Sequence, residues 1–142
     1  KAGAVAVLNN QGRVLLMTFK TVVMGEFEVE LPSLAVHDVP SGTTWNLHVM
    51  WDTMDLNDCG VAVGSQTVGS ETIPQIWDPL NGLRNLTALV EMPPGTVLES
   101  PLRINNAGEI LVKGRVGAVP HVFLLVPVRE ETGGPVQGLQ RR

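Results

Sequence analysis

Glu26-Phe27-Glu28-Val29-Glu30-Leu31 sets an apolar side chain at every second position, with a carboxylate between each pair. A period of two puts the two sets on opposite faces of an extended strand, whereas a helix would scatter the three glutamates around its circumference. Trp45, Leu47, Val49 and Trp51 repeat the pattern opposite Asn46, His48 and Met50. Working outward, further strand-like runs are predicted at residues 4–8, 13–20, 60–68, 85–92, 97–104, 109–116 and 122–128. Turn formers separate them: Asn9-Asn10-Gln11-Gly12, Pro40-Ser41-Gly42, Pro93-Pro94-Gly95 and Asn105-Asn106-Ala107-Gly108. Such residues tolerate positive φ or preset a reversal, and Pro93-Pro94-Gly95 reads as a hairpin turn. Residues 70–83 form the longest stretch without alternation and are expected to hold at most a short helix.

The pattern predicts one all-β domain, an antiparallel β-sandwich, in the form of an eight-stranded jelly roll. The domain is expected over residues 1–132, with 133–142 a polar, Gly-rich tail. Phe27, Val29, Leu31, Trp45, Leu47, Val49, Val61, Val63, Leu89, Ile110, Val112, Leu124 and Val126 form its expected core. Composition agrees, since valine outnumbers leucine and there are 15 glycines and 10 prolines in 142 residues. With 44% hydrophobic and 17% charged residues, the chain is too apolar for disorder. Lys1 stands where a new chain would carry Met, so a cleavage product or an excised domain is expected.

Leu8-Asn9-Asn10-Gln11-Gly12-Arg13-Val14-Leu15-Leu16 resembles Ile104-Asn105-Asn106-Ala107-Gly108-Glu109-Ile110-Leu111-Val112, about 96 positions on. Two copies so far apart make no solenoid, and the same loop chemistry entering a strand is the expected explanation.

Several chemistries can be weighed. A single cysteine, Cys59, excludes a disulfide framework and a Cys-cluster metal site. Cys59 with His37 would resemble a cysteine-protease pair, but 22 positions and a single domain leave no room for the second barrel that pair needs. Asp52, Asp55 and Asp58 cluster with Asn57 and are the candidate ligands for a metal such as Ca²⁺. Their spacing is not that of the twelve-residue calcium loop, and Asp and Asn also favour turns. Asp52-Thr53-Met54 lacks the glycine of an aspartic-protease Asp-Thr-Gly. Arg129-Glu130-Glu131-Thr132-Gly133 is similar to the end of a Nudix box, without the upstream Gly and Glu. Asn85-Leu86-Thr87 is a glycosylation sequon. A net charge of −4, with its 10 cations dispersed, argues against a nucleic-acid-binding face. No apolar run approaches the roughly 18 residues of a membrane span. No catalytic group and no cofactor are expected.

Gly25–Leu31, Pro40–Trp51, Gly60–Gly64 and the late Val122–Val128 run give a strand, a loop, a long central strand, a small-residue strand and a final strand. In that pattern the chain resembles the jelly-roll coat proteins of small icosahedral RNA viruses of the comovirus and nepovirus group. The resemblance implies a capsid subunit of the virion, assembled in the host cytoplasm. Its implied partners are copies of itself and companion coat subunits, with viral RNA bound only weakly and no membrane. The alternative is a non-catalytic carbohydrate- or protein-binding β-sandwich module, extracellular or at a fibre tip.

Overall fold

The computed structural model describes residues 4–128 and 138–141. They form twelve strands and one 3-10 turn, Leu86–Leu89, so the antiparallel all-β reading holds. Sheet 1 contains β1 (Ala4–Leu8), β2 (Arg13–Met24), β3 (Phe27–Asp38) and β4 (Thr43–Asn46). Sheet 2 contains β5 (Thr53–Leu56), β6 (Ala62–Val68), β7 (Glu71–Asp78) and β8 (Gly82–Asn85). Sheet 3 contains β9 (Thr96–Ile104), β10 (Ile110–Val116), β11 (Val119–Val128) and β12 (Gly138–Arg141). Every strand pairs with its neighbour in sequence, so each sheet is an up-and-down meander. An eight-stranded jelly roll would instead pair strands through Greek-key crossovers in two sheets. Strand number and connectivity therefore both depart from that expectation.

The three sheets stack in chain order, β1 lying against β5 and β5 against β9. Successive side chains of a strand point to opposite faces, and sheet 2 uses both. Ala62 and its cross-strand partner Trp77 face sheet 1, where they join Leu15, Leu34, Val36, Leu47, Trp51 and Leu56. The next pair, Val63 and Ile76, faces sheet 3 and joins Leu98, Ile104, Ile110, Val112 and Leu125. Burial of each such side chain contributes roughly 1.5–3 kcal/mol, so these two seams hold the molecule together.

Burial on both faces explains why residues 70–83 lack alternation. They are β7, the turn after it and the start of β8, and no helix forms there. Strands covered on both sides read as continuous apolar runs. Residues 85–92 were expected as a strand but hold the 3-10 turn, and Asn85 caps it by accepting from Thr87 N–H. Pro93-Pro94-Gly95 therefore links two sheets instead of closing a hairpin. The strand expected at residues 45–51 stops at Asn46, and His48 takes a positive φ of 57°.

The core list is corrected at the stretch that first signalled strands. Phe27 is 74% exposed, Leu31 45% and Leu124 41%. Pairing gives the reason for the first two. β1 covers β2 only as far as Met17, and β4 covers β3 only from Ala35. Among the described residues, the arm between, turning at Gly25, is a two-stranded ribbon with no further strand paired to it. Leu47, Val63, Ile110 and Val112 are buried as expected. In the anticipated tail, Gly138–Arg141 pair with β11 as the outer strand of sheet 3, while 133–137 lie outside the described residues.

Candidate functional site

Three turns join the first two strands of each sheet, and they share one construction. In each, an asparagine N–H donates to the carbonyl four residues on: Asn9 to Arg13, Asn57 to Val61, Asn105 to Glu109, at 3.0–3.1 Å. The asparagine Oδ1 accepts the N–H of that same residue, at 2.8 Å from Arg13 and 2.9 Å from Val61 and Glu109. Gly12, Gly60 and Gly108 follow at the position that needs a left-handed backbone, with φ of 81°, 85° and 81°. The three asparagines stand 48 residues apart. The chain is a threefold repeat, and the similarity at Leu8–Leu16 and Ile104–Val112 is its first and third copies.

The turns are bonded to one another. Asn9 Nδ2 donates to the Asn57 carbonyl at 2.9 Å, and Asn57 Nδ2 donates to the Asn105 carbonyl at 3.0 Å. One residue on, Asn10 N–H donates to Asp58 Oδ1 and Asp58 N–H donates to Asn106 Oδ1, both at 2.8 Å. Two parallel ladders thus run from sheet 1 to sheet 3. Asn9 and Asn57 are buried in them.

This construction accounts for the candidate metal ligands. Asp58 accepts from Asn10 N–H, Asn106 Nδ2 and Asn10 Nδ2, and these bonds hold its carboxyl below the usual carboxylate range. Asp55 Oδ2 accepts from Ile104 N–H at 2.9 Å, and Asp52 accepts from the Thr67 hydroxyl. Three separate sets of partners occupy the three aspartates, and among the described residues no group of three or more His, Cys, Asp or Glu converges as a metal would need. Cys59 Sγ lies 3.7 Å from the Asn106 carbonyl, and His37 Nδ1 is hydrogen-bonded to Thr44 Oγ1 at 2.7 Å. The structure gives the thiol and the imidazole different partners and makes no pair of them.

Sequence reasoning missed the open seam between sheets 2 and 3. A groove of about 510 Å³ lies there, with Glu71, Thr72 and Asn85 on one wall and Thr96, Glu99 and Arg115 on the other. Arg115 Nε is 3.7 Å from Glu99 Oε2, and its Nη1 donates to the Gly117 carbonyl at 3.0 Å. Both partners of that ion pair are more than a third or nearly a third exposed, so it adds little stability and is free to rearrange around a ligand. The signal was absent in sequence because the lining comes from separate strands of two repeats. No family model, curated protein or solved structure matches the chain. No helix among the described residues is long and apolar enough to cross a membrane.

Proposed function

We propose that the chain is a non-catalytic β-repeat binding module whose recognition surface is the groove between sheets 2 and 3. The observation that carries this reading is the lining itself: two carboxylates, a guanidinium, an amide and hydroxyls mounted on strands of two sheets. Repeated sheets offer fixed walls of this kind, and ligand contacts collect at the seams between units. Carboxylates and hydroxyls accept and donate to hydroxyl and ammonium groups, so a neutral oligosaccharide or a polar peptide segment suits the chemistry. The coat-subunit reading stands second, because the jelly roll that would support it is replaced by three meanders.

Screening the chain against a glycan array and a peptide array, followed by amide-shift titration with the best binder, tests the proposal. Shifts centred on Thr72, Asn85, Thr96 and Arg115, lost in Glu99→Gln, are expected. Binding elsewhere, or megadalton shells on a sizing column, would overturn it.

A further inference from the structure

The two seams define what each sheet presents to its neighbours. Toward the preceding sheet, sheet 2 turns Leu56, Ala62 and Trp77, which are 6%, 0% and 4% exposed. Sheet 3 turns Ile104, Ile110 and Leu125 from the same register positions, at 7%, 1% and 0%. Sheet 1 has Leu8, Val14 and His37 there, and Leu8 is 65% exposed. Toward the following sheet, the cross-strand pairs are Leu15 with Val36 in sheet 1 and Val63 with Ile76 in sheet 2, all buried. Among the described residues no sheet lies over the third pair, Leu111 with Leu124, and Leu124 is 41% exposed.

The ladder tells the same story in polar atoms. Asn9 and Asn57 each reach forward to the next turn's carbonyl. Asn105 is exposed, and its Nδ2 bonds to Glu109 Oε1 of its own turn at 2.8 Å. Among the described residues no ladder bond returns from Asn105 to Asn9, as it would if three sheets closed a ring by themselves. Beside Asn105, a cleft of about 390 Å³ is lined by Arg103, Ile104, Glu109, Leu111 and Leu124.

We infer that the outer face of sheet 3 is a docking face for the outer face of sheet 1 of a second copy, joined head to tail. The contact continues an interface the chain already makes twice. Sheet 1 supplies the matching half: a leucine at the position where Leu56 and Ile104 are buried, and an Asn-x-x-Gly turn whose carbonyl replaces Glu109 as the partner of Asn105. The face also carries two cations, Arg103 as the cross-strand neighbour of Leu111 and Lys113 two residues further on, whose aliphatic stems can cover apolar surface while their charges stay in water. Head-to-tail contacts close into a ring when the rotation allows. Four-stranded sheets around a central channel close at typically 4–8 units, so two copies give a six-unit ring.

Sedimentation velocity over a concentration series tests the inference, using Leu124→Arg to block one face and Leu8→Arg to block the other. Both positions are exposed, and unchanged circular dichroism and melting temperature will show that the variants fold. The native chain is expected to associate as concentration rises, each variant alone to stay monomeric, and their equimolar mixture to form a dimer. That rescue is specific to a head-to-tail contact, since one intact face of each kind remains in the mixture. A native chain that stays monomeric to millimolar concentration, variants that associate like it, or a mixture without rescue would each overturn the inference. The outcome is independent of ligand binding in the groove.

Discussion

The seam between sheets 1 and 2 is built around tryptophans, and the seam between sheets 2 and 3 is mainly aliphatic. All three tryptophans, Trp45, Trp51 and Trp77, lie in the first. Trp45 and Trp77 meet at 5.7 Å between ring centres, and Arg13 lies 5.0 Å above the Trp45 ring. The second seam is filled mainly by Val, Leu and Ile, with Phe123 packed at its margin and Leu86, Leu89, Val90 and Met92 from the longer connection to sheet 3. One repeat frame thus tolerates two different fillings, provided that volume is exchanged between partners. Gly64 shows the exchange. A Cβ there would sit 2.2 Å from the Trp51 ring, so the glycine makes room for the indole. Trp51 Nε1 meets its own need by donating to Gln75 Oε1 at 2.8 Å.

The largest effect is expected where the aromatic seam is emptied. Trp51→Ala should cost about 3–5 kcal/mol in urea unfolding, since a large buried ring leaves a cavity and strands Gln75. Leu98→Ala in the aliphatic seam should cost about 2–4 kcal/mol, because the surrounding branched chains relax into the smaller gap. If the two costs are reversed, the first seam is not the tighter one. Gly64→Ala should destabilise by about 1–3 kcal/mol by overpacking, and pairing it with Trp51→Ala should recover part of that loss.

The ladder separates inner from outer repeats more finely. Asn57→Ala leaves the Val61 N–H and the Asn105 carbonyl without their partners, a loss of about 1–3 kcal/mol in thermal or chemical unfolding. Asn105→Ala, at an exposed turn, should cost clearly less. Equal losses would mean that the buried rung adds nothing.

The smallest effect is the response to acid. Asp58 is held below the usual carboxylate range by Asn10 and Asn106, so the stability it contributes is present above about pH 4. It is lost as pH falls through the depressed folded-state value. Asp58→Asn should therefore flatten the acid limb of the stability curve relative to the native chain, in melts between about pH 2 and 5.

How much of this was legible follows from what alternation can report. Alternation marks a strand with one wet and one dry face, so it found Phe27, Val29 and Leu31. It could not tell that their ribbon extends past its neighbours and leaves Phe27 exposed. In β7, buried on both faces, the signal vanished and a strand was missed. The Asp52, Asp55 and Asp58 run drew attention as oxygen ligands, which hid the middle copy of the turn, Asn57-Asp58-Cys59-Gly60. The equal spacing of Asn9, Asn57 and Asn105, and of Gly12, Gly60 and Gly108, was the readable sign of the repeat. The groove lining was not readable, because only stacking brings Glu71 and Arg115 to one cleft.

The central claim is a directional repeat, bonded turn to turn, whose third turn makes no onward ladder bond among the described residues. Hydrogen exchange of the asparagine side-chain amides, followed residue by residue in NMR spectra, tests it most directly. The Nδ2 protons of Asn9 and Asn57 should exchange slowly and those of Asn105 fast, in dilute solution where the outer face of sheet 3 is free. Fast exchange at all three, or equal protection of all three in dilute monomer, would contradict it.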